Sequence, residues 1–443
     1  MKASSKTDRT SKHTIGNIDN STPAVVLKSV AHGGLGIVRS LGRLGIPAYT
    51  VEANPWTPAF YSRYNRGVVK LDVETASAAQ ALERLHELAE RLGTKSVLIP
   101  STDYAAIFIA DHAEKLRRWF LFPEQSSDLL RKLYSKWEMY LLAKRIGVPT
   151  VETFLPRTRE DVLHFAKTMR FPVVLKAIDG TRLSRCCGKK MFIVHRIDEL
   201  LNLYDSLEDP INPNLILQEY IDGEDDSVWM FNGYFNQRSE CIATFTGKKL
   251  RQCPAFSGYT CLGVCLANPV VQETAIRFLG ALNYNGLVDI DFRYDQRDGQ
   301  YKILDVNPRI GATFQLFTSP NGMDPVRLYY LDVTGQRAPS AVLKEGRKWI
   351  VGDLDLASSL RYLRAGHLTI SQWLASLRHI EEGAYFAADD LVPLLVRIAD
   401  DACELGRRAC RRLLHSRSRS RSHGHVVATV PGALAGDSEP EAA

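Results

Sequence analysis

The sequence predicts three consecutive pieces: an α/β domain built on parallel strands, an α+β domain built on antiparallel hairpins, and a mostly helical C-terminal extension. Three patterns predict them. Residues 24–101 cycle through strand, helix and strand, with connections long enough for parallel pairing. Residues 171–309 carry short apolar strands separated by polar turns. Residues 353–415 keep helical spacing with little strand signal.

Residues 1–22 are rich in Ser, Thr, Lys and Asn, have little apolar content, and are expected to be disordered. AVVLKSV (24–30) reads as a buried strand, HGGLG (32–36) as a Gly-rich turn, IVRSLGRLG as a helix ending at Gly45, and IPAYTVEA (46–53) as a second strand. The third cycle is the helix SAAQALERLHELAERLG followed by the strand SVLIPST, within 75–101. GGLG lacks the G-x-G-x-x-G spacing, so tight helix–strand packing is expected there and not a dinucleotide site.

Residues 126–150 read as one helix, capped by Ser126 or Ser127 and ended by Gly147 and Pro149. A helix (159–169), a strand (171–177), a polar loop (178–190), a strand (190–195), a helix (197–207) and a strand (214–220) follow. Residues 228–266 are mostly strand. Helix 270–282 then leads to NGLVDIDFRYD, a turn at Gln296–Gly299, and YKILDVNPR. The change from parallel to antiparallel character places a boundary near 125. The expected segments are 23–125, 126–340, a helical extension over 341–415, and a disordered tail over 416–443.

The formal net charge is +6, but it is not spread over the chain. Seven arginines and no acid lie between Arg407 and Arg421, and 45 basic and 45 acidic residues remain in 23–406. A neutral body argues against a nucleic-acid partner. The eight cysteines form no C-x-x-C pair and no His cluster accompanies them, so no zinc site is expected. The polar N-terminus has no apolar signal core, and no apolar run is long enough to span a bilayer. A reducing, cytoplasmic setting is expected.

The chemistry concentrates in Asp291-Phe-Arg and Leu304-Asp305-Val306-Asn307-Pro308-Arg309. The two segments should pair as a hairpin. Asp305 and Asn307 then share a face of one strand, with Asp291 facing them from the next. Two carboxylates and an amide oxygen in one place call for a hard cation, and Mg²⁺ with ATP is the usual case. Arg309 is placed to clamp a phosphoryl group or an acyl phosphate. Lys176 ends the strand VVLK, where a lysine can hold phosphate. The loop after it, DGTRLSRCCGKK, offers backbone N–H groups and cations to a triphosphate. The strand in LILQEYIDGEDDSVW offers a backbone edge to adenine, with acids beyond its turn for ribose hydroxyls.

In this order, over residues 24–335, these pieces resemble the ATP-grasp superfamily of carboxylate–amine or carboxylate–thiol ligases. The resemblance rests on Lys136 before GVPT, Lys176 at a strand end, and the hinge residues Gln218, Glu219, Tyr220, Ile221 and Gly223. It rests also on the metal pattern Asp291, Asp305, Asn307 and Arg309. The leading segment, with SRY at 62–64, is similar to the Rossmann-like pre-ATP-grasp domain of ATP-dependent carboligases, with D-aspartate ligase-like and carbamoyl-phosphate-synthase-like proteins as kin. The resemblance implies a two-lobed ATP-grasp fold after that domain. It implies that Lys136 and Lys176 hold the α- and β-phosphates. Gln218 and the backbone of Glu219 and Ile221 would contact adenine, and Asp225, or Glu224 in its place, would bind ribose. The cofactors implied are ATP and Mg²⁺, with Mn²⁺ as an alternative, and no biotin. The chain departs from the family at Asp305, where Glu is commoner, at Asp289, where some relatives carry Arg, and in the bulky Arg182, Arg185, Cys186 and Cys187 of the phosphate loop.

The activity so implied is Mg-dependent acyl-phosphate formation from ATP and a carboxylate, followed by amide formation with an amine. The alternatives are a carboxylase or carbamoyl-phosphate-type reaction, and an inactive nucleotide-binding regulator. The partners implied are a small carboxylate and a small amine, recognised by the first domain and by loops near 247–263, with a second copy of the chain as a candidate. Leu391, Leu394, Leu395, Ile398, Leu405 and Leu413 stand near helical spacing ahead of the arginine run. That run either complements the dipole of its helix or docks the basic C-terminal tail on an anionic membrane surface or a nucleic acid.

Overall fold

A computed structural model describes residues 18–223 and 227–422, apart from the side chains of Thr181 and of 408–422. The chain divides into two compact units, Met1–Leu394 and Leu395–Ala443. The first unit opens with five strands: β1 (Ala24–Leu27), β2 (Ala48–Val51), β3 (Asn65–Val69), β4 (Ser96–Pro100) and β5 (Phe120–Leu121). They form a parallel sheet in the order β3-β2-β1-β4-β5. All four residues of β1 are buried, as a central strand covered on both faces requires. The covering helices are α1 (Ala31–Gly42), α2 (Ala78–Leu92), α3 (Asp103–Asp111) and the short α4 (Ala113–Leu116). Ser77 and Gln80 close a capping box on α2, and Gly93 ends it in the left-handed region. The short strands β3 and β5 are absent from the sequence reading.

HGGLG does not form the turn. It lies inside α1, and the left-handed residues before it are Lys28 (φ 63°) and Ala31 (φ 46°). The glycines serve close packing: a Cβ on Gly34 would stand 2.6 Å from the Ser29 backbone, and one on Gly36 would stand 2.9 Å from the Gln315 side chain. Residues 310–331 thus pack against α1, and one core runs from Val26, Leu35 and Ile37 to Phe314, Leu328 and Tyr329. Ile18 to Thr22 are ordered against the same region, with Tyr330 donating to Thr22 O at 2.8 Å; residues 1–17 lie outside the described residues.

The single helix expected over 126–150 is two, α5 (Ser127–Tyr134) and α6 (Lys136–Ile146). Ser135 is extended, ending one and capping the other by accepting from Glu138 N. This break puts Lys136 on the first turn of α6. A small lobe follows: β6 (Thr153–Phe154), α7 (Arg159–Thr168), β7 (Val173–Ala177), α8 (Gly180–Cys187), β8 (Met191–Val194), α9 (Ile197–Leu207) and β9 (Leu215–Glu219). Its antiparallel sheet has the order β6-β9-β7-β8. The polar loop expected over 178–190 is largely the helix α8. Asp179 caps it by accepting from Arg182 N, and Leu183 is buried beneath it.

The large lobe carries β10 (Val228–Phe235), β11 (Cys241–Cys253), β12 (Tyr259–Cys265), α10 (Pro269–Ala281), β13 (Gly286–Asp295), β14 (Gln300–Asn307) and α11 (Pro325–Val333). The strand signal over 228–266 covers 247–253 in β11, so the loop expected near 247–263 is confined to the segment between β11 and β12. The extension is not helical throughout: β15 (Lys348–Ile350) and β16 (Ile380–Gly383) complete a seven-stranded sheet, β14-β13-β10-β11-β12-β15-β16, around α12 (Gly352–Arg364) and α13 (Ile370–Ser376). The segment after β16 is tied to the first sheet. Arg39, fully buried, donates to Asp390 at 2.9 Å and to the carbonyls of Ala384, Tyr385 and Asp390. The SRY residues serve the same tie: Ser62 Oγ and Arg63 N donate to Asp390, and Tyr64 OH to Asp389. The last helix, α14 (Val392–Ser422), runs beyond residue 415, where the tail was expected to begin, and 423–443 lie outside the described residues. Among the described residues no helix is long and apolar enough to cross a membrane.

Candidate active site

The β13–β14 hairpin pairs Asp291 with Asp305 and Asp289 with Asn307, with a bulge just after Asp291. Alternation sends Ile290, Phe292 and Val306 into the core shared with α5 and α6. The polar set is therefore left together on the opposite face. Three separate elements bring cations to it. Lys136, from the start of α6, closes on Asp305 Oδ1. Lys249, from β11, places Nζ 2.7 Å from Asp291 Oδ2. Arg309, just past β14, donates to Asn307 Oδ1 at 3.2 Å and Asp103 Oδ2 at 3.4 Å, and to Ile310 O at 2.9 Å.

Lys176 stands at the end of β7, facing this group. Burial pushes its ammonium down to about 8, and the charge of Lys136 adds to the shift against the pull of Asp305 and Asp291. Burial would raise the Asp305 carboxyl, but Lys136, Lys176 and Arg309 outweigh it and hold it below the usual range. Asp289 moves the other way: burial and the charge of Asp291 push it well above the ordinary carboxylate range, against Arg309 and Lys249. It accepts from Asn232 Nδ2 at 2.8 Å and Asn307 Nδ2 at 3.4 Å. A Cβ on Gly311 would stand 2.6 Å from its carboxyl carbon, so only glycine lets the loop close behind it.

The hinge residues sit at the other end of the same lobe. In the β7–β9 register, Lys176 pairs with Ile216 and Val173 with Glu219. Three residues at about 3.3 Å each put the hinge about 10 Å from Lys176 along the strand. Gln218 is buried and donates to Thr153 Oγ1 at 2.8 Å. The Glu219 carboxylate is committed to Lys302 at 3.0 Å and Arg297 at 2.6 Å, and its N–H to Glu152 O. Ile221 is buried and Tyr220 half-buried. Glu224 and Asp225 lie outside the described residues. Arg182, expected over a triphosphate, pairs with Asp209 at 2.6 Å inside its own lobe.

The structure thus gathers Lys136, Lys176, Asp291, Asp305, Asn307 and Arg309. It adds three residues missed in the sequence: Lys249, Asn232 and Asp103. Reading 247–263 as substrate loops hides Lys249, which lies in the long strand β11. Asp103 opens α3 at the carboxyl edge of the parallel sheet, at the β1–β4 pair where the strand order reverses. Asp103 Oδ1, Asn232 Oδ1 and Arg309 Nε are buried without hydrogen-bond partners.

Residues 134–230 match the RimK-like ATP-grasp domain family. The chain thus resembles the ATP-grasp superfamily. It is 28% identical to the D-aspartate ligase of Enterococcus faecium over 261 residues, 56% of this chain and 61% of that protein. It is 25% identical to a carbamoyl-phosphate synthase of Methanobrevibacter smithii, over 40% of this chain and 46% of that protein. The chain therefore spans about half to three fifths of these relatives. A likeness in fold extends beyond the matched segment. N5-carboxyaminoimidazole synthetase from Staphylococcus aureus, solved with ADP, superposes with a TM-score of 0.59 over 79% of this chain and 88% of that one, at 12% identity.

The donor set fits magnesium. Its ligating atoms are all oxygens, two from carboxylates and one from an amide. Among the described residues no group of three or more His, Cys, Asp and Glu is gathered to hold a metal alone. Mg²⁺ usually takes one or two protein carboxylates and completes its shell elsewhere, and this face offers two.

Proposed function

We propose that the protein is an ATP-dependent ligase that activates a carboxylate as an acyl phosphate and joins it to an amine, releasing ADP and phosphate. The observation that carries this reading is the meeting of Lys136 and Lys176, from separate elements, at the Asp291–Asp305–Asn307 face. Two lysines beside an oxygen-donor set suit a polyphosphate with its cation and suit little else.

The division of labour follows the expected segments. Residues 126–340 bind nucleotide, with adenine at Gln218–Ile221, ribose at Asp225 or Glu224, and phosphates at Lys136 and Lys176. Asp291, Asp305 and Asn307 hold Mg²⁺, which supplies charge neutralisation and polarisation of phosphoryl oxygens when bound. Arg309 steadies the phosphoryl group in transfer and then the acyl phosphate. The substrate carboxylate takes the γ-phosphoryl group from ATP, with ADP as the leaving group, and the amine then displaces phosphate, losing a proton. The work of the side chains is positioning and charge compensation, with no protein nucleophile. The first domain, 23–125, meets the second substrate at the edge marked by Asp103. A second reading, with bicarbonate as the carboxylate, is favoured by the carbamoyl-phosphate synthase relatives.

The test is ADP release with pooled carboxylates and amines, with mass detection of the product. Lys176→Ala and Asp305→Ala should each abolish substrate-dependent release. Wild-type rates in either variant would end the proposal, and turnover on bicarbonate alone would select the second reading.

A further inference from the structure

The helix α14 carries an apolar face that serves none of the chemistry above. Leu395, Ile398, Ala402 and Leu405 follow one another at steps of three and four residues and so share one side of the helix. The three large side chains are 62%, 55% and 65% exposed. Charged residues fall on the other side, where Arg397 pairs with Asp401 at 3.0 Å and Arg407 lies 3.8 Å from Asp400. Beyond Arg407 the sequence supplies Arg408, Arg411, Arg412, Arg417, Arg419 and Arg421 and no acid before Asp437.

We propose that α14 lies in the surface of an anionic bilayer, its leucine face among the acyl chains and its arginines on the lipid phosphates. Charge complementarity selects this occupant. A second copy of the helix would cover the apolar face, but a parallel one would set the two arginine runs side by side and an antiparallel one would carry each run past the start of the partner helix at Val392, so neither opposes them with acids. A nucleic acid would satisfy the arginines and leave the apolar face in water. Only an anionic bilayer uses both features, and an amphipathic helix with a basic polar side is the form that binds there.

The experiment is co-sedimentation of the full chain with vesicles of phosphatidylcholine alone, or mixed with phosphatidylglycerol, at low and high salt. The chain should pellet with the mixed vesicles, and high salt should weaken this. Replacing Leu395, Ile398 and Leu405 together by Glu should abolish pelleting and leave ATP turnover unchanged. Replacing Arg408, Arg411 and Arg412 by Ser should weaken binding by about fivefold per residue. Equal pelleting on both vesicle types, no pelleting, or parental pelleting by the Glu variant would overturn the proposal. A dimer broken by the Glu variant without lipid binding, or RNA binding that survives that variant, would overturn it as well.

Discussion

Lys249 Nζ lies 2.7 Å from Asp291 Oδ2, linking the middle of β11 to β13 across the intervening β10. Lys136 meets Asp305 in the same way from α6. Each carboxylate assigned to the metal is thus held by a lysine from a different element. Binding a nucleotide with its cation can then exchange partners, acids to metal and lysines to phosphate, without leaving any buried charge alone.

Lys249→Ala removes one half of this arrangement. Without ligand the variant should lose about 2 kcal/mol of stability, the usual worth of a hydrogen bond to a charged group. Its kcat/KM should fall by about 100-fold, as for loss of one charge-stabilising donor. Urea unfolding and steady-state kinetics check the two parts separately, and a variant with parental kcat/KM would remove Lys249 from the site.

The lowered ammonium of Lys176 predicts a pH signature. It must be charged to hold phosphate, so kcat/KM for ATP should fall as pH rises through about 8. Bound phosphate favours the charged form, so kcat should bend at higher pH. The stability effect has the opposite sense. Below pH 8 both folded and unfolded chains carry the proton and the burial cost is fully present, so this group makes the fold more stable as pH rises from about 8 towards the ordinary lysine range near 10. Lys176→Arg should flatten the kcat/KM profile over this range while lowering its height.

Asp289 gives the complementary case. Its folded carboxyl titrates above the unfolded one, so the folded state binds more protons above the ordinary Asp range and loses stability as pH rises there. Asp289→Asn removes this cost while keeping the shape. Its melting temperature should exceed the parent's at pH 8 and match it at pH 4. A variant that melts lower at pH 8 would show that the ionised form is stabilised by its neighbours.

The Arg39–Asp390 pair should matter to folding and not to chemistry. Arg39→Ala leaves Asp390 buried with Ser62 and the Arg63 N–H as donors but no counter-charge. Loss of one member of a buried pair costs about 3–5 kcal/mol. Denaturant midpoints should show this loss, with kcat unchanged in the folded fraction.

Local pattern by itself determined the parallel first sheet, the hairpin, and the gathering of Asp291, Asp305 and Asn307. Alternation with period two and a short turn leave those side chains one place to point. The same local logic found Lys176 at its strand end. It failed where neighbours in space overruled neighbours in sequence. The glycines of HGGLG look like a turn, yet they are helical because residues 312–315 press on α1. The 178–190 segment looks like loop, yet it folds as α8 over a buried Leu183. Lys249 and Asn232 come from the paired strands β11 and β10 and Asp103 from a helix more than a hundred residues earlier, and the two short strands β15 and β16 pair on the edge of a large sheet. Such contacts are set by packing and burial across the whole fold, which no spacing along the chain encodes.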